Sequence, residues 1–198
     1  MKKSRKLPAN YTYYQILKMT FRTATKKDAS RIAALHSRSW QTSYINVLSD
    51  DYLENKVEQE RLDYWNNKIE SLDNQWVMIA EEGEELLGFI CMIGNEDEKY
   101  GSLIDNLHVR PDIKGQGLGK QLLQKGIEWA QENFPDSGQY LWVYKVNHSA
   151  IGFYEKMGGL CAELVMTENP DGGRAEVWRV VWVKRKSSFR ERLKRAFS

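Results

Sequence analysis

An apolar strand pattern, Leu103–Val109, runs almost directly into Lys114-Gly115-Gln116-Gly117-Leu118-Gly119, and a long helical pattern begins at once behind it. Few sequence features restrict a fold as much as a strand, a glycine cluster and a helix in that order. Glycine permits positive φ and lets a ligand approach the main chain with no Cβ in the way. The unpaired N–H groups of the helix's first turn then point outward, which suits a phosphate or pyrophosphate. A plain strand-to-helix turn needs one glycine, and three in five residues ask for more. Two common phosphate loops do not fit. A Walker A loop needs glycine five residues before Gly119-Lys120, where Lys114 stands, and Gln121 follows the lysine. A dinucleotide fingerprint starting at Gly115 and Gly117 needs a third glycine at Lys120.

The rest of the chain surrounds this unit with short, well-punctuated elements and no internal repeat. Phe21–Ala24 reads as a strand, and Thr25 with Asp28 opens a helix through Ile32 and Leu35 to about Trp40. Ser49, followed by Asp50 and Asp51, opens a second helical stretch carrying Leu53, Val57, Leu62, Trp65 and Ile69. Trp76–Glu81 and Leu86–Ile93 form a hairpin about Glu82-Gly83. The helix after the glycines runs to about Asn133, with Pro135 ending it. Tyr140–Tyr144 is a strand, Ser149–Lys156 a helix stopped at Gly158-Gly159, and two strands, about Leu160–Thr167 and Ala175–Val183, flank a turn at Asn169–Gly173. This order predicts one α/β domain, a mixed sheet with helices on both faces.

The charge is unevenly placed. Residues 1–20 hold five Lys/Arg and no acid, and 184–198 hold seven Lys/Arg and only Glu191. Removing these from the totals of 29 basic and 27 acidic residues leaves 17 and 26 in 21–183, a net of −9. The expected organisation is a basic, aromatic extension at 1–20, a domain at 21–183 and a basic tail at 184–198. An acidic body concentrates cationic small molecules such as amines around it. It also argues against nucleic-acid binding as the main role. Cys91 and Cys161, both in strand-like runs, read as buried thiols in a reducing compartment. They and three scattered histidines show no metal-ligand spacing, so no metal is expected. There is no run of about 18 apolar residues, and the start MKKSRKLPANYTYYQ lacks a signal peptide's apolar block. The expectation is a soluble, cytoplasmic protein.

Leu107-His108-Val109-Arg110-Pro111, the glycine cluster and Leu122-Leu123 resemble the central block of the GNAT superfamily of N-acetyltransferases, whose signature is Gln/Arg-x-x-Gly-x-Gly/Ala. Asn147-x-x-Ala150-x-x-Phe153-Tyr154-Glu155-x-x-Gly158 resembles its second block. Arg22-x-Ala24 with Asp28, and Ile79-Ala80 leading to Leu87-Gly88-Phe89, resemble its opening elements, so the likeness spans roughly residues 21–183. One departure is Lys114 in place of Gln or Arg, which keeps a cation and loses the planar fork. The resemblance implies a central, twisted, mostly antiparallel sheet of about seven strands flanked by helices. It also implies acetyl-CoA as acyl donor, its pyrophosphate held by the backbone of Gln116–Lys120. The cofactor-binding set it carries over is Leu107, His108, Val109, Lys114, Gly115, Gln116, Gly117, Leu118, Gly119, Lys120 and Asn147.

In this family the strand before the loop splays from its neighbour at a bulge. Its free main-chain groups, here at Leu107 and Val109, pair with the pantetheine arm as another strand would. The Leu107 N–H would face the acetyl carbonyl, a type of contact worth roughly 2.7–4 kcal/mol in other acyl transfers. An attacking amine must be neutral, and at a lysine-like pKa of about 10.4 only roughly one molecule in 2,500 is so at pH 7. A base eases that step. Asp105 is the candidate, with a carboxylate pointing away from the site as the alternative. Tyr154 matches the family's tyrosine acid for the departing thiolate, with a core tyrosine as the alternative. Asn147 reads as a pantetheine ligand or a helix cap, and the His108 side chain as structural.

Acceptor specificity is expected in Trp40–Ile69 and the Asn169–Gly173 loop. There Trp40, Tyr44, Tyr52 and Trp65 form either an aromatic wall for an amine or plain core. The acceptor is an amine of a small molecule or peptide. A domain that binds acyl-CoA without chemistry, and a nucleic-acid or ribosome binder acting through its tails, are the competing readings. Ser188-x-x-Glu191 with Phe189, Leu193, Ala196 and Phe197 reads as a basic amphipathic helix suited to an anionic surface or to its own domain. Tyr11, Tyr13, Tyr14, Ile16 and Leu17 suit packing on a neighbouring subunit, as in a homodimer, or across the domain's own sheet.

Overall fold

The hairpin about Glu82-Gly83 is the start of the sheet. In β2 (Gln75–Glu82), Val77 and Ile79 point to one face and Ala80 to the other, and β3 (Glu85–Asp97) pairs with it antiparallel. The computed structural model describes residues 19–70 and 74–182. The amphipathic tail expected at 188–198 and the aromatic run at 11–17 lie outside the described residues.

Around this hairpin the chain adds β1 (Met19–Thr23), β4 (Gly101–Val109), β5 (Gln139–Tyr144), β6 (Leu160–Glu168) and β7 (Arg174–Trp182). The seven strands lie in the order β1-β2-β3-β4-β5-β7-β6, and every pairing is antiparallel except β4 with β5. The expected mixed, mostly antiparallel sheet is what forms. Its one parallel contact follows from the crossover of α4 (Leu118–Asn133) between β4 and β5.

Each face of the sheet has its own core. On one side α1 (Ala29–Ser43) and α3 (Val57–Glu70) bring Ile32, Leu35, Trp65 and Ile69 onto Val77, Ile79, Phe89 and Cys91. On the other, Leu118, Leu122, Leu123 and Ala130 of α4 pack on Ile90, Met92, Ile104, Leu141 and Val143. Gly126 lets α4 lie close: a Cβ there would meet Ile90 Cδ1 at 2.5 Å and Met92 Sδ at 2.9 Å.

Two expectations change. The single helical stretch after Ser49 is two helices, α2 (Asp50–Asn55) and α3, because Lys56 leaves helical geometry at φ −122°. Apolar spacing alone does not register such a break. Cys91 is fully buried, but Cys161 on the outer strand β6 is only partly so. α5 (His148–Lys156) completes the fold, packing against β6.

Candidate active site

β4 and β5 pair only through Ser102↔Gln139 and Leu103↔Tyr140. Beyond these the two strands part. A cavity of about 1100 Å³ opens between Ile104–Val109 on one side and Leu141–Tyr144 on the other. The parting coincides with a bulge in β4. The β3 register runs Met92↔Ile104 then Cys91↔Asn106, so Asp105 is the extra residue. Past the bulge, the Arg110 N–H donates to the Leu87 carbonyl at 2.9 Å. By strand alternation the main-chain groups of His108 therefore face β3, and those of Leu107 and Val109 face the opening.

The glycine cluster forms one end of this opening. Gly115 and Gly117 have φ of +85° and +89°, values that favour glycine, and a Cβ at either would meet no protein atom. Gly117 is the N-cap of α4, whose ladder begins with Gln121 N–H to the Gly117 carbonyl at 3.2 Å. The N–H groups of Leu118, Gly119 and Lys120 precede that ladder, at the positive end of the helix. Lys114 and Lys120 line the same end and add two cations. Arg110 is spoken for by Glu85 (2.9 Å) and Asp112 (2.7 Å), which steady the approach to the loop. A glycine cradle, a helix N-terminus and two lysines together fit a pyrophosphate.

α5 forms the next wall. Asn147 Oδ1 accepts the Ala150 N–H at 3.1 Å, capping the helix, and its amide nitrogen is what can donate into the cavity. Tyr154 lines the cavity, edge-on to Phe153 and Trp182 at 5.2 and 6.0 Å. Burial pushes its phenol well above the ordinary tyrosine value, so it stays protonated.

The far end is aromatic. Trp40 and Tyr44 at the end of α1 and Trp142 and Tyr144 of β5 line it, with the Tyr44 and Tyr144 rings edge-on at 4.8 Å and the guanidinium groups of Arg61 and Arg179 over the Trp40 and Trp142 rings at 4.5 and 4.2 Å. Burial, then the nearness of Tyr154 and Tyr144, raises the Tyr44 phenol as well. Two loops close this end. Asn169 accepts from the Tyr144 hydroxyl at 3.1 Å and donates to the Val47 carbonyl at 3.4 Å. Asp171 accepts the Ser49 N–H at 2.7 Å.

Asp105 lines the cavity with its carboxylate engaged. Oδ2 accepts from the Tyr64 hydroxyl (2.9 Å), Lys68 Nζ (3.1 Å) and Asn106 Nδ2 (2.6 Å). The His108 ring pairs with Ser39 Oγ at 2.9 Å and lies 4.5 Å from the His36 ring. Burial, then Lys114 and Arg61, hold its pKa down to about 3, so it is neutral.

Every residue of the expected set lines this one cavity except Gln116, whose exposed side chain lies outside the lining. Of the four expected wall aromatics, Trp40 and Tyr44 line it, while Tyr52 and Trp65 are buried in the core. Trp142, Tyr144, Tyr64 and Lys68 were not anticipated. The alternation of Tyr140, Trp142 and Tyr144 in β5 was a signal for the first two. Contacts between α3 and β4 leave no mark in a linear pattern.

The sequence model of the Acetyltransferase (GNAT) family matches residues 32–159. An uncharacterized N-acetyltransferase of Bacillus subtilis, YuaI, is 34% identical over 140 residues, 69% of this chain and 78% of its own length. The peptidyl-lysine N-acetyltransferase YjaB of Salmonella typhimurium is 32% identical over 83 residues, 42% of this chain and 48% of its own. Among solved structures, the PaiA N-acetyltransferase of Thermoplasma acidophilum in complex with coenzyme A superposes with a TM-score of 0.63 at 18% identity, covering 83% of this chain and 99% of that one. That likeness is one of fold.

Proposed function

Because this chain belongs to the GNAT family of acetyltransferases, we propose that it transfers the acetyl group of acetyl-CoA to a primary amine of a small molecule or peptide by direct attack in a ternary complex. The observation that carries this reading is the continuity of the cavity. It runs from the glycine cradle at the head of α4, along the unpaired edge of β4, to an aromatic end closed by two loops. A chain-like donor with a pyrophosphate at one end and a thioester at the other fits that path.

In this reading the first-turn N–H groups of α4, with Lys114 and Lys120, hold the pyrophosphate. The cleft-facing main-chain groups of Leu107 and Val109 pair with the pantetheine arm as an added strand, and the Asn147 amide donates to it. The Leu107 N–H polarises the acetyl carbonyl. Asp105, on the wall where the acceptor meets the acetyl group, takes the amine's proton through an intervening water. Tyr154, protonated at working pH, gives its proton to the departing thiolate. The acceptor enters at the aromatic end beside Trp40, Tyr44, Trp142 and Tyr144, whose ring surfaces suit the carbon skeleton of an amine. The amine acceptor accords with the peptidyl-lysine activity named for YjaB. Among the described residues no helix is long and apolar enough to cross a membrane. We place the enzyme in the cytoplasm, where reducing conditions suit the unpaired thiols of Cys91 and Cys161.

The test is calorimetric titration of acetyl-CoA into the wild type and Gly117→Trp, followed by thiol-release assays with spermidine and a lysine peptide. Binding in the wild type that vanishes in the variant, with thiol release stimulated by amine, is the expected result. A folded wild type that binds no acetyl-CoA refutes the reading. Binding with no transfer to any amine reduces the chain to an acyl-CoA-binding domain.

A further inference from the structure

The β4 bulge is not left to the strand itself. Asp105, the extra residue, hangs its carboxylate toward α3, where Tyr64 and Lys68 stand one helical turn apart and donate to the same oxygen at 2.9 and 3.1 Å. The Lys68 ammonium also lies 5.2 Å from the centre of the Tyr64 ring, and the Arg61 guanidinium covers that ring at 4.6 Å. Both charged partners are largely shielded, at 14% exposure for the Lys68 side chain and 21% for that of Asp105. The helix that carries them is itself fixed, since Trp65 and Ile69 are sealed in the core on either side of Lys68. A bulge with its side chain free could migrate along the strand, because a one-residue shift of register exchanges one set of main-chain groups for the other. Here the extra residue is tied to a rigid helix. The β4–β5 pairing stops at Leu103, two residues before it.

We propose that Tyr64 and Lys68 are positioning residues, which by holding Asp105 fix the place of the bulge and so keep the main-chain groups of Leu107 and Val109 turned toward the acetyl-pantetheine arm. The proposal rests on acetyl-CoA being the donor. It assigns α3, otherwise a helix of the acceptor side, a part in binding the donor. The ion pair is a stronger tie than a surface pair because neither charge can be fully resolvated when the other is removed.

The experiment compares binding of acetyl-CoA and of its nucleotide fragment, 3′-phospho-ADP, by calorimetry. The proteins are the wild type, Lys68→Met, Lys68→Arg, Tyr64→Phe and the charge-neutral double variant Lys68→Met/Asp105→Asn. Tyr64→Phe keeps the ring, and the double variant leaves no unpaired buried charge, so both guard against simple unfolding. Loss of the tie should weaken acetyl-CoA about tenfold in Lys68→Met and in the double variant, and severalfold in Tyr64→Phe, in the range of coupling found for contacting residues. Lys68→Arg should bind nearly as the wild type does. The fragment, which touches only the glycine cradle, should bind all of them alike. Equal acetyl-CoA affinity in wild type and variants overturns the positioning role while leaving the donor assignment intact. Parallel loss of acetyl-CoA and fragment overturns it in favour of a general structural role. A wild type that binds neither removes the donor assignment, and the inference with it.

Discussion

The carboxylate of Asp171, at the turn between β6 and β7, accepts the main-chain N–H of Ser49 at 2.7 Å across 122 residues of sequence. Its second oxygen accepts the Gly173 N–H at 3.0 Å, so one side chain both shapes its own turn and holds the start of α2. The Ser49 contact, first among these, holds the carboxyl below its usual range, so the latch is set throughout neutral pH. It ties together the two loops behind Tyr44 and Tyr144 at the aromatic end of the cavity, whose lining neither Ser49 nor Asp171 joins. Asp171→Ala should therefore raise KM for the acceptor amine about fivefold, the equivalent of one hydrogen bond of ~1 kcal/mol. Acetyl-CoA affinity should stay put. An unchanged amine KM would show that the two loops do not shape the acceptor site.

A second network controls stability toward acid. Asp28 is buried and accepts two-pronged hydrogen bonds from Arg22, both at 2.8 Å, while Glu81 accepts from Arg22 and Arg31. Arg22 beside them holds both carboxyls below the ordinary carboxylate range. Their pKa values are depressed on folding from about 3.9 and 4.3. The stabilisation is thus complete above about pH 5 and is lost as pH falls through the folded values. Asp28→Asn should lower stability by about 2 kcal/mol at pH 7, less than for a sealed pair because Arg22 is partly exposed. Denaturant midpoints from pH 7 to 3 should fall for the wild type and much less for the variant. Parallel curves would place the acid sensitivity elsewhere.

Two glycines of the cradle, Gly117 and Gly119, should behave differently. Gly117 sits at φ +89°, so Gly117→Ala should lower stability by about 1–2 kcal/mol through backbone strain alone. Gly119 lies inside α4 with no positive φ, and a Cβ there would make ordinary contact with Phe153 at 3.6 Å. Gly119→Ala should raise stability by about 0.5–1 kcal/mol and keep acetyl-CoA binding, whereas Gly119→Val should keep the fold and lose the binding. Melting curves with and without acetyl-CoA separate the two effects. A Gly119→Val variant that binds normally would mean that the ligand does not approach this turn.

Local chemistry accounts for what was legible in advance. The glycine cluster, the Asn147–Gly158 block and the hairpin at Gly83 each declare themselves within a dozen residues, and they carry most of the sheet and the whole donor end. Whether Tyr52 and Trp65 join the cavity wall or the core is open in the sequence, because helical spacing cannot say which side of α1 a neighbouring helix will take; both lie in the core. Trp65 donates its indole N–H to His36 at 3.0 Å deep in the core, a partnership 29 residues long that no periodicity reveals. Lys68 was invisible for the same reason. Its partner Asp105 is 37 residues away, and the two meet only because β4 carries one residue more than β3 at that point.

Tyr154 offers the most direct test of the chemistry. Its ring packs against Phe153 and Trp182, so Tyr154→Phe removes the hydroxyl and little else. If that hydroxyl supplies the thiolate's proton, kcat should fall about 10²–10⁴-fold with acetyl-CoA affinity nearly unchanged, the range for loss of a general acid. Burial raises the phenol's pKa above its ordinary value near 10, and the group acts in its protonated form. Activity should therefore show no alkaline fall attributable to this residue up to about pH 10. A better leaving thiol needs no acid. An acetyl thioester built on a more acidic thiol should recover most of the lost rate in Tyr154→Phe and little in the wild type. Equal loss with both donors would assign Tyr154 to packing, and the proton would then have to reach the thiolate from water.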